Sequence, residues 1–127
     1  MNKNNTLTHN VMIVEDEKDL CFLLSFVLKQ KNLNPSCANT IADAKKKIGN
    51  IKPSLLFLDN CLPDGFGIDF ISEIKENLPF TKIVMITAQN SSQEINTAKE
   101  NGADYFISKP FSSEIIKDTV DRLIPQF

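Results

Sequence analysis

Side chains able to do chemistry stand directly behind apolar runs of this chain. Glu15-Asp16 follows Val11-Met12-Ile13-Val14, and Asp59 follows Leu55-Leu56-Phe57-Leu58. Thr87 ends the run that starts at Lys82-Ile83, and Lys109-Pro110 follows Tyr105-Phe106-Ile107-Ser108. If the Val11 and Leu55 runs are neighbouring strands, three carboxylates meet within a few ångströms and their repulsion must be offset. A hard dication meets that need. Magnesium takes carboxylate oxygens, keeps several waters and is often completed by a phosphoryl oxygen, which indicates phosphoryl chemistry and not a closed structural metal site. Taken singly, each residue has an ordinary use: an acidic pair behind a strand favours a helix macrodipole, and Asp59, Thr87 or Lys109 alone carries little. Their joint appearance at the ends of four strands carries the inference.

The elements that must position these residues alternate in type, the signature of an α/β domain. After the first strand, Leu20, Leu23, Leu24, Val27 and Leu28 recur at helical spacing. Asn34-Pro35 precedes a weak strand, Ser36-Cys37-Ala38, whose proline suits an edge or a strand start. Thr40 caps a second helix carrying Ile41, Ala44 and Ile48, with Gly49 expected to end it. The Leu55 run shows no alternation, as expected of a central parallel strand covered on both faces. A loop over residues 59–66 leads to a third helix marked by Phe70, Ile71, Ile74 and Leu78, then to a fourth strand ending in Thr87. Residues 91–100 form a poorly amphipathic helix stopped by Gly102. A fifth strand follows, and Ser112 or Ser113 caps a last helix carrying Ile115, Ile116, Val120, Leu123 and Ile124, closed by Pro125. Five βα units joined by right-handed crossovers give a doubly wound parallel sheet, whose ligands bind at the carboxyl ends of the strands.

The chain has 127 residues, 42% apolar and 24% charged, enough for one core. A net charge of −2, with Arg122 as its only arginine, leaves no footprint for gripping nucleic acid directly. Residues 1–10 are a polar segment without the apolar core of a signal peptide, and the most apolar stretch, residues 20–28, is under half a membrane span. A cytoplasmic protein with no membrane insertion is expected. Cys21, Cys37 and Cys61 are odd in number and have no C-x-x-C pair, so disulfide frameworks and zinc sites are not expected. Lys45-Lys46-Lys47 reads as the solvated face of the second helix, and His9 as an inert residue of the polar segment.

The chain resembles the receiver domain of two-component response regulators from residue 11 to residue 124. The resemblance rests on Glu15-Asp16, the apolar strand into Asp59, Leu62-Pro63-Asp64-Gly65-Phe66-Gly67, Thr87-Ala88, Gly102-Ala103-Asp104 and Lys109-Pro110-Phe111. It implies a flavodoxin-like (βα)5 fold with sheet order 2-1-3-4-5. It implies Asp59 as phosphoacceptor, with magnesium held by Glu15, Asp16, Asp59 and the backbone carbonyl of Cys61. Thr87 and Lys109 would contact the phosphoryl group, Lys109-Pro110 would be a cis peptide, and Thr87 and Phe106 would form a switch. The chemistry agrees: a carboxylate nucleophile splits transfer and hydrolysis into two steps, and phosphoryl transfer asks mainly for positioning and charge stabilisation.

Three departures from the commonest pattern bear on mechanism. Glu15 stands where aspartate is frequent, so its longer arm would reach magnesium through water. Phe106 takes the switch position without a hydroxyl, while Tyr105 points to the other face. Cys61 and Gln89, each two residues beyond a site residue, occupy positions that tune dephosphorylation. The implied function is a signalling module, catalysing only its own phosphorylation and dephosphorylation. It would take its phosphoryl group from a sensor histidine kinase or histidine phosphotransfer protein, and switch a face of helix 4, strand 5 and helix 5. That face would serve a downstream protein, an output domain beyond the chain end, or a phosphorylation-dependent homodimer; residues 125–127 show no output domain. The alternatives are a receiver-like binding module without phosphoregulation, and a haloacid-dehalogenase-type phosphatase, which wants a second aspartate where Cys61 stands. A flavin-binding domain would want a Ser/Thr/Gly-rich first loop in place of Glu15-Asp16-Glu17.

Overall fold

The computed structural model describes residues 9–88 and 92–124. Its elements run β1 (Asn10–Val14), α1 (Lys18–Gln30), β2 (Asn34–Ala38), α2 (Ile41–Ile51), β3 (Leu55–Asp59), α3 (Ile71–Asn77), β4 (Lys82–Thr87), α4 (Ser92–Asn101), β5 (Tyr105–Ser108) and α5 (Ser113–Leu123). The five strands form one parallel sheet in the order β2-β1-β3-β4-β5. β3 is buried along its whole length at the centre, which accounts for its unbroken apolar sequence. Pro35 lies in β2, the edge strand, where its missing N–H interrupts no inner ladder.

The pleat sorts each strand between two cores. Val11, Ile13, Leu55, Phe57, Val84, Ile86 and Ile107 pack with the buried stripes of α1 and α5. Met12, Val14, Leu56, Leu58, Ile83 and Met85 pack with α2, α3 and Ala98 of α4 on the other face. A slip of one residue in any central strand would exchange these sets, so the register is strongly specified. The same register brings the ends of β1 and β3 side by side, with Val14 paired to Leu58. Glu15 and Asp59 therefore become neighbours. Among the described residues, no helix is long and apolar enough to cross a membrane.

Thr40 caps α2 as expected, accepting the Asp43 N–H at 3.0 Å. Gly49 does not end that helix. It continues to Ile51, which packs on the α2–α3 core, and closes at Lys52 in the left-handed region (φ 48°) before Pro53. The stripes of two helices also differ from expectation. In α1 the buried residues are Cys21, Leu24, Val27 and Leu28, while Leu23 is partly exposed at 37%. In α5, capped by Ser112, Ile115 is exposed and Thr119 takes the buried place, donating its hydroxyl to the Ile115 carbonyl at 2.7 Å. Residues 59–66 are more ordered than a plain loop. They contain a two-residue antiparallel ladder, Cys61–Leu62 against Gly65–Phe66, followed by a 3-10 turn over Gly67–Phe70. Pro125 lies outside the described residues.

Candidate functional site

At the carboxyl end of the sheet, the buried Glu15 and Asp59 and the exposed Asp16 each place a carboxylate oxygen within 4.8 Å of the others. Lys109 reaches the cluster from beyond β5: its Nζ lies 3.3 Å from Glu15 Oε1 and 3.5 Å from Asp59 Oδ2. The Lys109–Pro110 peptide is cis. The Lys109 backbone N–H also donates to the Thr87 carbonyl at 2.8 Å, tying the ends of β4 and β5. Thr87 forms part of the wall of an open cleft of about 500 Å³ over Asp59, shared with Asp16, Cys61, Ala88 and Lys109.

Among the described residues three carboxylates face the Lys109 ammonium, and burial weighs on Glu15 and Asp59. Burial, opposed by the Glu17 N–H on its Oε2 and reinforced by the Asp59 charge, pushes Glu15 up to about 7. Burial also raises Asp59, against the pull of Lys109 and of the Cys61 N–H, 3.5 Å from Oδ1. Lys109 sits above the ordinary lysine value because the Asp59 and Glu15 charges outweigh its own burial. Among the described residues Glu15 Oε1 is buried without a hydrogen-bond partner and is held by that ion pair. An all-oxygen donor set with one orphaned buried oxygen and uncompensated negative charge fits a hard cation.

The Glu15 value has a consequence for the metal-free protein. Between about 4.5 and about 7 the folded chain keeps a proton that the unfolded chain releases, so this group's contribution to stability falls as pH rises through that window. Glu15→Gln should flatten the fall. Tm measured across this range in chelator checks it, and a wild-type Tm rising in parallel with that of the variant would contradict it.

Several residues support the site from a distance. Asp64 accepts the Ile41 and Ala42 N–H groups, each at 2.9 Å, so the loop after β3 caps α2 from outside that helix. Asn60 accepts the Gly67 N–H on its carbonyl (2.8 Å) and the Ile68 N–H on its side chain (3.0 Å). Gly67 packs so closely on β3 that a Cβ there would stand 2.3 Å from the Asp59 carbonyl oxygen. Asp64 and Gly67 stand in the loop motif, but nothing in their spacing announces these partners. Asn60 carries no signal at all. At the opposite end of the sheet, Lys75 donates to Asp104 at 2.8 Å and to the Thr81 carbonyl at 2.7 Å, which locks α3 to the sheet.

Cys61 is exposed at the cleft rim, and Gln89 lies outside the described residues. Phe106 is half-buried on the α4 side, 5.9 Å from the Lys99 ammonium, and Tyr105 packs against the opposite core. Phe106 also borders a narrow gap with Thr87, Met85 and Ala98. His9 is engaged, its Nδ1 2.9 Å from Ser54 Oγ. Of the lysine run, Lys47 bridges Asp43 and the Cys37 carbonyl, and Lys45 pairs with Glu73.

The family model described as Response regulator receiver domain matches residues 11–121. The chain belongs to the response regulator receiver family. This receiver domain is 34% identical over 119 residues to the phosphate regulon transcriptional regulatory protein PhoB of Escherichia coli, a match covering 92% of this chain and 51% of PhoB. It is 33% identical over 107 residues to the transcriptional regulatory protein KdpE of Staphylococcus aureus, covering 84% and 46%. It thus spans about half the length of these relatives. Among solved structures it is similar to a two-component response regulator from Clostridium difficile (TM-score 0.88, 29% identity, 94% and 98% covered). It is also similar to the beryllofluoride-activated NtrC4 receiver domain dimer (TM-score 0.83, 34% identity, 90% and 94% covered). The receiver domain is a signalling module of two-component systems.

Proposed function

We propose that this receiver accepts a phosphoryl group on Asp59 from the phosphohistidine of a sensor kinase or phosphotransfer protein. The carrying observation is the Lys109 ammonium, held within 3.5 Å of both Glu15 and Asp59 at the mouth of an open cleft. An Asp59 oxygen attacks phosphorus as the phosphorus–nitrogen bond of the donor breaks, leaving an acyl phosphate on Asp59 and a neutral imidazole on the donor. The Cys61 N–H and Lys109 orient the attacking carboxylate, and Lys109 then follows the charge onto the phosphoryl oxygens. The Thr87 hydroxyl donates from the cleft wall. Glu15, Asp16, Asp59 and the Cys61 carbonyl would hold magnesium, which supplies positive charge to the phosphoryl oxygens when bound. Cys61, exposed on the approach side, and Gln89 govern water access and hence dephosphorylation.

The proposed receiver extends over residues 11–124, works in the cytoplasm and passes its state to an output partner or domain, or to a second copy. Its output face is α4-β5-α5. The named relatives are transcriptional regulators about twice as long, and the NtrC4 receiver is a dimer when activated, which supports these assignments. Cys61 in place of a second aspartate speaks against a phosphatase.

Acetyl phosphate with magnesium tests the proposal. One acid-stable, base-labile phosphoryl group per chain is expected, with a rate at least about a hundredfold lower in chelator, on the order of 2.7 kcal/mol of barrier. Equal rates with and without the metal would remove the cation from the site.

The switch has its own test. Phe106 already rests half-buried against α4, so Thr87 moving toward a phosphoryl group shifts the ring further inward from that position instead of from open surface. Beryllofluoride should raise amide-exchange protection across α4 and β5, and Phe106→Ala or Thr87→Ala should blunt that rise while Asp59 still accepts phosphate. Identical protection with and without the mimic, at confirmed occupancy, would refute the coupling.

A further inference from the structure

The fold brings together two cysteines that the phosphoryl chemistry does not use. Cys21, in the first turns of α1, and Cys37, in β2, pack together in the core between α1 and the sheet. Cys37 Sγ is 3.8 Å from the Cys21 carbonyl and 3.6 Å from Ser25 Oγ. Cys21 is buried, its Sγ donating to the Glu15 carbonyl at 3.4 Å, whereas Cys37 is partly open to solvent. Lys47 places its ammonium on the Cys37 carbonyl at 3.0 Å. A partly open edge-strand thiol, its own backbone carbonyl held by the Lys47 ammonium and a buried second cysteine packed in the same cluster, has the parts of a peroxide-reactive pair: an accessible attacking sulfur and a neighbouring resolving sulfur.

We propose that Cys21 and Cys37 form a reversible oxidation site that takes hydrogen peroxide or another hydroperoxide and closes to an intramolecular disulfide. The Cys37 thiolate attacks one peroxide oxygen. A sulfur–oxygen bond forms, the oxygen–oxygen bond breaks, and the departing hydroxide gains a proton to become water. The Cys21 sulfur then attacks the Cys37 sulfenic acid: a sulfur–sulfur bond forms, the sulfur–oxygen bond breaks, and hydroxide leaves with the Cys21 proton as a second water. Each sulfur gives one electron, and the peroxide takes both. The neighbouring Cys21 thiol, with help from Ser25 and Lys47 against burial, draws the Cys37 thiol below its ordinary value, so Cys37 is the sulfur that attacks. The product would staple the start of α1 to β2. It depends on none of the roles assigned to Asp59.

The test uses the chain carrying Cys61→Ser, so that the exposed third thiol is silent. Peroxide should consume Cys21 and Cys37 together, with the loss of two hydrogens by mass, a Cys21–Cys37 cross-linked peptide from monomeric protein, and recovery in dithiothreitol. Closure should be at least about tenfold faster folded than in urea, because the fold holds the two sulfurs together. With Cys21→Ser added, Cys37 should stop at a sulfenic acid captured by dimedone. Two alkylatable thiols surviving a peroxide dose that oxidises Cys61 in the unmodified chain would overturn the proposal. So would a bond between chains, or equal rates folded and unfolded.

Discussion

Asp59→Asn is expected to abolish phosphoryl incorporation from acetyl phosphate while leaving the fold intact. The amide is a poor nucleophile and yields no acyl phosphate, so the rate should fall by at least about a thousandfold, to background. Stability should move the other way. Asp59 is buried, its carboxyl raised by that burial, and it shares the site with Glu15 and Asp16. Removing its charge relieves the repulsion in the metal-free protein, so Tm in chelator should rise. A variant that is more stable yet unlabelled separates chemistry from folding, and stoichiometric labelling of Asp59→Asn would dismiss Asp59 as acceptor.

Gly67→Ala is expected to damage both stability and transfer. The added methyl would meet the Asp59 carbonyl oxygen at 2.3 Å and Leu58 Cγ at 2.9 Å, and the first of these is backbone that no rotamer change can move aside. The turn over Gly67–Phe70 must lift off β3, or the end of β3 must shift. Either movement loosens the Asn60 hydrogen bonds to Gly67 and Ile68, and it displaces Asp59 from Lys109. Overpacking of this kind costs about 2–3 kcal/mol. A displacement near one ångström at the nucleophile costs about a hundredfold in rate. Urea unfolding and acetyl phosphate kinetics on one preparation measure both, and a Gly67→Ala protein within about 0.5 kcal/mol and twofold of wild type would show that the contact is not limiting.

The fold was legible because buried parallel strands write themselves as unbroken apolar runs, and the candidate site because its residues sit directly behind those runs. Asp59 and Glu15 need only the pairing of Val14 with Leu58 to become neighbours. What could not be read depends on distant partners. Nothing local to α2 announces that Asp64 completes its N-terminal capping, or that Lys52 in place of Gly49 ends it. Gly67 stands in the loop motif, yet its need for glycine comes from the Asp59 carbonyl above it. Thr119 displaced Ile115 from the buried stripe because a threonine hydroxyl can bond within its own helix and then pass as apolar. Cys21 and Cys37 looked unrelated until the packing of α1 on β2 joined them.

Borohydride reduction of the labelled wild-type protein, followed by peptide sequencing, examines the acceptor directly and without any substitution. It converts an aspartyl phosphate to homoserine and spares a free carboxylate. Homoserine at position 59 alone, dependent on magnesium during labelling, is the expected result. Homoserine at position 16 or 64, or a phosphoryl group that resists reduction, would contradict a receiver that works through Asp59.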